Sequence, residues 1–148
     1  MSNYPVWWDT TVTIYNKHED PQTRVVSWYK HSVDACFWKY VGSEIKVGSV
    51  VLKTDDIICR IPEQTDFLEK YLWVQIPNDE KGQYFTLGVG DIIVRGTVED
   101  NINEYQSGMR STDFVKKYKD LQGCLEVHDF AINVGVGRNN PHYYVRGF

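Results

Sequence analysis

The sequence predicts a mainly β fold, a compact β-barrel or sandwich with one or two short helices and a long inserted loop. Three observations carry this. Apolar and polar residues alternate with a period of two along much of the chain, turn-forming residues punctuate the alternation, and helical spacing is confined to two short stretches. Residues 1–148 form a single β-rich domain with an N-terminal arm over 1–9 and a polar loop over 99–111. One core usually serves roughly 100–200 residues, so no second domain is needed.

Taken in order, Thr11–Tyr15 alternates and runs into the turn-rich Asn16–Pro21, as a strand ending in a loop does. Between Thr23 and Val41 lie two β-rich runs, with Val25, Val26, Trp28 and Tyr29 in the first and Cys36, Phe37, Trp38, Tyr40 and Val41 in the second. A bend near His31–Asp34 should separate them. Val47–Leu52 and Ile57–Ile61 form a further pair about a turn at Lys53–Asp56, and Pro62 ends the ladder because it has no N–H to donate.

Thr65–Tyr71 starts with a capping residue and carries Phe67 and Tyr71 four apart, which predicts a short helix. Strands resume at Tyr84–Leu87 and Asp91–Val98 around Gly88–Gly90. The stronger helix is Ser111–Leu121, where Phe114, Val115, Tyr118 and Leu121 keep helical spacing and Gly123 stands as a stop. Both helical stretches share T-D-F-[L/V]-x-K-Y, read as a common start signature rather than a duplication. Cys124–Val134 and His142–Phe148 close the fold around the Gly- and Asn-rich loop Gly135–Pro141.

Sixteen Lys and Arg stand against twenty Asp and Glu, a net charge of −4. That balance argues against a protein whose main task is to neutralise nucleic-acid phosphates or anionic lipid. The first residues have no basic segment followed by an apolar core, so no secretory signal is expected, and no apolar run approaches the ~20 residues that span a bilayer. Cys36, Cys59 and Cys124 are an odd set without a CxxC pair, which suits buried free thiols in a reducing cytosol.

Catalytic signals are weak throughout. Cys124 and His128 lie on one strand face but about 13 Å apart, too far for a nucleophile and its base. His18-Glu19-Asp20 and His128-Asp129 lack any metal-ligand spacing and read as solvated turns. The glycines separate strand from strand, whereas a phosphate cradle needs them between a strand and a helix. No catalytic, cofactor-binding or metal residue is therefore expected, and the chain is read as a non-enzyme without a cofactor.

Five Trp, ten Tyr and six Phe make up 14% of the chain, and three roles compete for them. Rings such as Trp28, Phe37, Trp38 and Trp73 can fill a thin β core. Exposed rings can form a platform for sugars or single-stranded nucleic acid. Rings in the arm and loops can anchor contacts between subunits. Trp7 and Trp8 are adjacent, so in an extended arm they face opposite ways and both are buried only if the arm is sandwiched by other elements or a neighbouring chain, which favours assembly over a flat sugar-binding face. The candidate partner interface is accordingly Tyr4, Trp7, Trp8, Tyr105, Met109 and Arg110.

Particular stretches add a family likeness. Val89-Gly-Asp-Ile-Ile-Val-Arg-Gly96 and the late order of helix, strand, Gly/Asn loop and His142-Tyr-Tyr-Val-Arg-Gly147 resemble small virion proteins from tailed-phage morphogenesis clusters. Trp8–Lys17, Cys36–Gly42, Phe85–Asp91 and Leu121–Cys124 are similar to an uncharacterised prophage family of the head and neck gene block. The resemblance implies a head-closure (stopper) or minor capsid subunit of the head–tail connector, a small β-barrel acting in a homo-oligomeric ring. Its implied partners are further copies of itself, the portal-side adaptor and tail proteins, with packaged DNA met only in passage and no membrane. It implies a place in the virion after synthesis in the host cytoplasm, with the 99–111 loop facing the channel or an adjoining ring. A tail-tube or other minor virion role, and a carbohydrate- or peptide-binding β module, stand as alternatives.

Overall fold

A computed structural model describes residues 4–105, 109–135 and 140–148, with side chains described for all of these except 43–45 and 52–55. Parts of the predicted arm, polar loop and Gly/Asn loop, namely residues 1–3, 106–108 and 136–139, lie outside the described residues. The fold is mainly β: a closed barrel of six strands in the order β1-β2-β3-β6-β5-β4. The strands are β1 (Thr10–Glu19), β2 (Val26–Val47), β3 (Val50–Pro62), β4 (Ile92–Arg95), β5 (Cys124–Asn133) and β6 (His142–Gly147). Two α-helices accompany them, α1 (Lys70–Trp73) and α2 (Ser111–Leu121). All neighbouring strands pair antiparallel.

Two apolar clusters follow from the strand period. Val12, Ile14, Val33, Cys59, Ile61, Ile93, Leu125 and Val145 point inward and fill the barrel together with Phe85 and Leu87. Residues one step along point outward, and where α2 covers them they are buried too: Tyr15, Ile92, Val94 and Cys124 pack against Phe114, Val115 and Tyr118. Burial on both faces explains why β4 reads Ile-Ile-Val as a continuous apolar run. All three cysteines are buried and unbridged. Burial pushes the Cys59 and Cys124 thiols up to about 12 and raises Cys36 as well, so none is poised as a thiolate.

Several expected boundaries move. The two runs between Thr23 and Val41 belong to the single 22-residue strand β2. Its discontinuity is a bulge: Val12 pairs with Val33 but Thr10 with Cys36, and Ala35 takes a φ of 60°. There the strand changes partner, from β1 to β3. The turn expected at Lys53–Asp56 instead lies at Gly48-Ser49, where Gly48 adopts φ +64°, as a two-residue hairpin loop requires. Lys53–Asp56 pairs in register with Val41–Glu44.

The helix expected over Thr65–Tyr71 is replaced by a turn and a parallel bridge between Phe67 and Phe85, and helix begins only at Lys70. Packing overrides local propensity here, since Phe67 stacks on Tyr143 at 4.0 Å and meets Phe85 edge-on at 5.4 Å. Tyr84–Leu87 makes that bridge but no ladder, and Asp91–Val98 shortens to Ile92–Arg95. Helix α2 keeps the expected bounds and buries Phe114, Val115 and Tyr118, while Leu121 stays 64% exposed. Gly123 follows with φ +101°.

Candidate functional site

Three features leave the closed barrel with surface it does not need for its own folding: a ribbon, the N-terminal arm and a groove at the end of β1.

The ribbon is the continuation of β2 and β3 past their barrel partners. β3 meets β6 only from Ile57 to Pro62, and β2 meets β1 only up to Cys36. From Val41–Val47 and Val50–Asp56 the two strands pair with each other alone among the described strands. At about 3.3 Å per residue this two-stranded extension reaches roughly 23 Å. Neither outer edge pairs with a further strand among the described residues, and Val47, Val50 and Val51 near its tip are 61%, 55% and 46% exposed. An isolated hairpin is marginal in water, and exposed edges with apolar residues invite another chain.

The arm is fixed by two of its three aromatic residues. Tyr4 stacks on Trp8 at 5.2 Å, its hydroxyl donates to the Pro141 carbonyl, and the same oxygen accepts from the Glu63 N–H at 3.2 Å. Trp8 is buried against Phe37 and meets His142 edge-on. Val6 and Trp7 between these anchors are 90% and 63% exposed. The arm is not the extended segment expected: the Trp8 N–H bonds back to the Pro5 carbonyl at 3.0 Å in a turn over residues 5–8, and from that turn Trp8 is taken by the chain's own barrel while Trp7 is left in solvent.

The remaining interface candidates lie on the 99–111 loop, which is stitched to the barrel. Tyr15 donates through its hydroxyl to the Asp100 carbonyl, and the Asp100 carboxylate accepts from Lys117 at 2.8 Å and from the Tyr118 hydroxyl at 2.5 Å. The Lys117 and Tyr118 bonds hold that carboxyl below its ordinary range. Glu104 accepts from the Trp28 indole and the Ser111 N–H; burial acts to raise its carboxyl, but these bonds outweigh it and the net shift is downward. Ile102 and Val98 are buried, and Met109 packs on the same cluster through its bridge to Ile102. Tyr105 is 58% exposed although its hydroxyl accepts from the Val26 N–H, and Arg110 is exposed at the start of α2.

Sequence reasoning did not single out the groove. It opens where β1 ends, has a volume of about 640 Å³, and is lined by Lys17, His18, Pro21, Lys70, Val74 and Pro77 among others. Beneath the lining lies Trp73, fully buried, with Lys70 Nζ 5.0 Å and Lys81 Nζ 5.6 Å from the ring and His18 edge-on at 5.9 Å. Lys81 is itself buried because its ammonium bonds the carbonyls of Ile76 and Val74 and the Asn78 side chain. Partial burial, then the Lys81 and Lys70 charges, hold the His18 pKa below its ordinary value.

Behind the groove, Asn16 ties β1 to the 84–90 segment. Its amide donates to the Thr86 carbonyl at 2.7 Å and to Asp91 at 2.9 Å, and its oxygen accepts from the Thr86 N–H at 3.1 Å. Asp91 also accepts from the Lys17 N–H at 2.9 Å and lies 3.9 Å from Lys70 Nζ. Desolvation still leaves its carboxyl above the ordinary range, despite these partners. Among the described residues, no three His, Cys, Asp or Glu side chains converge as a metal site would require. No helix among them is long and apolar enough to cross a membrane.

A family profile matches residues 7–148, from Trp7 through the last strand. The chain belongs to DUF6751, a family of unknown function. No curated protein and no solved structure matches it significantly. The match spans the barrel, the ribbon and the groove, and takes in the arm from Trp7 onward.

Proposed function

We propose that this DUF6751 chain is a structural virion subunit of a tailed bacteriophage, acting in an oligomeric ring at the head–tail connection as a head-closure (stopper) or neck protein. The observation that carries the assembly part of this reading is the ribbon. A closed barrel has already removed its own free edges, yet this one sends a 22-residue strand and its partner out past the closure. Such an extension has unmet backbone pairing and exposed valines that a neighbouring subunit can satisfy. The virion placement rests on the sequence resemblance described above.

The barrel interior is filled by side chains, so it offers packing rather than a central ligand cavity. Among the described residues the exposed rings belong to different elements: Trp7 to the arm, Tyr40 to the root of the ribbon, Tyr71 to α1, Tyr105 to the polar loop and Phe148 to the segment after β6. Two lysines of the groove are engaged in holding backbone carbonyls, Lys81 those of Val74 and Ile76 and Lys70 that of Lys17.

The test is genetic complementation in a lysogen lacking the gene. The pair Val47→Lys and Val50→Lys changes exposed positions and should leave the purified protein's stability within about 0.5 kcal/mol. The expected result is normal accumulation of folded protein with loss of infectious tailed particles. Full complementation by this variant would overturn the role assigned to the ribbon.

A further inference from the structure

We infer that the ribbons of neighbouring copies of this chain pair edge to edge, the β2 edge of one with the β3 edge of the next, in one antiparallel sheet that closes around the ring. This deepens the proposed ring assembly and rests on it. Three observations lead there.

First, the ribbon edges begin where the barrel strands stop. Along β3, the partner β6 ends at Gly147 opposite Ile57, and along β2, the partner β1 begins at Thr10 opposite Cys36. The arm does not prolong β1 beside β2: it turns over residues 5–8 and sets Trp8 against Phe37 and His142. At the tip, Val47 and Val50 are opposed and share one face, Lys46 and Val51 share the other, and all four are exposed.

Second, the two edges match each other. The two-residue loop at Gly48-Ser49 makes Val47 and Val50 a hydrogen-bonded pair, and such pairs recur at every second residue of an antiparallel ladder. The residues between them therefore turn N–H and C=O away from the hairpin: Gly42, Glu44 and Lys46 on β2, and Val51, Lys53 and Asp55 on β3. Both edges present outward groups at the same spacing. With two ribbons level, Lys46 stands opposite Val51 of the next copy and Gly42 opposite Asp55, for about six backbone hydrogen bonds per contact.

Third, a ring of copies uses both edges. A strand from an unrelated partner covers one edge and leaves the other open. Two copies related by a twofold axis pair β2 with β2 and leave both β3 edges open. Copies related by rotation about a ring axis set β3 of one beside β2 of the next, running in opposite directions, so the pairing is antiparallel and closure leaves no edge. Each subunit's own barrel removes its edges in the same way.

Disulfide trapping between full-length chains tests this directly. Lys46→Cys and Val51→Cys, both at exposed positions, are made in separate preparations and mixed under mild oxidant. These positions pair within one chain, so separate preparations prevent an internal disulfide, and the native cysteines are buried. The expected product is a covalent heterodimer from the mixture, at least about tenfold more abundant than the dimer from either preparation alone. Adding Glu44→Pro to the Lys46→Cys chain removes an outward N–H while sparing the hairpin's own bonds, and should cut trapping at least about tenfold; Glu44→Ala keeps that N–H and should trap normally. Leu121→Cys, exposed on α2, serves as the off-site control. No heterodimer, equal yield with Leu121→Cys or with Glu44→Pro, or a Lys46→Cys homodimer of equal yield, as twofold pairing would give, would overturn the inference. If trapping fails while the protein is found in tailed particles, only this pairing falls. If trapping succeeds while particles lack the protein, the pairing stands and the virion role falls.

Discussion

Replacing Asn16 by Ala should be one of the costliest changes to the fold, although the residue opens the turn-rich stretch that the sequence suggests is a loop and that the structure keeps in β1. Three hydrogen bonds disappear together, the ones to the Thr86 carbonyl, the Thr86 N–H and Asp91. Thr86 is fully buried and Asp91 is 1% exposed, so the groups left behind have little access to bulk water. A buried donor or acceptor left unmade costs about 1–3 kcal/mol, and water entering the vacated space recovers some of it, which gives about 3–5 kcal/mol for the substitution. In a domain of this length that corresponds to a fall of roughly 6–20 °C in Tm. Urea unfolding followed by tryptophan fluorescence measures it, with an unchanged slope expected because the surface exposed on unfolding is the same. A loss below about 1 kcal/mol would refute the argument that this network, rather than the surrounding apolar cluster, fastens the groove wall to the barrel.

Two further outcomes follow from particular residues. Ala35 holds a left-handed φ of 60° at the β2 bulge, a conformation that costs a residue with a Cβ roughly 1–2 kcal/mol, so Ala35→Gly should be neutral or stabilise by up to about 1 kcal/mol in the same unfolding assay. A clear destabilisation would mean the Ala35 methyl matters more than the backbone strain. Glu104 has its carboxyl lowered on folding by the Ser111 and Trp28 bonds, so its contribution is present above its ordinary pKa and is lost as pH falls through the lower folded value. The Trp28 indole N–H resonance should therefore shift in the acid range below about pH 4.5, and Glu104→Gln should abolish that titration. An unshifted resonance down to global unfolding would contradict the stitching of the loop.

The fold class was legible because the alternation is strong and α2 is amphipathic. Phe114, Val115 and Tyr118 recur at helical spacing and all three are buried. Less legible were the places where a distant residue decides the conformation. Thr65–Tyr71 repeats the T-D-F-[L/V]-x-K-Y signature of α2, yet Phe67 is drawn onto Tyr143 and Phe85 and the helix does not start there. A two-residue loop at Gly48-Ser49 is a weaker local signal than Lys-Thr-Asp-Asp, but it lets eleven Cα pairs form between Phe37–Val47 and Val50–Arg60. Of the groove, the sequence marked only His18-Glu19-Asp20, read as a solvated turn, and these three residues line it. Lys81 lies in a polar turn, and its burial follows from the carbonyls of Val74 and Ile76 folding around it. Of the interface candidates, Trp7 stays exposed and Trp8 is buried, a split set by the turn over residues 5–8 and not by the strand alternation the sequence suggests.

The most direct test of the account is to locate the protein in tailed particles purified from an induced lysogen that encodes it, using gold-labelled antibody in the electron microscope. The account predicts label confined to the neck between head and tail. Intact particles free of label, with controls proving the epitope exposed, would contradict it.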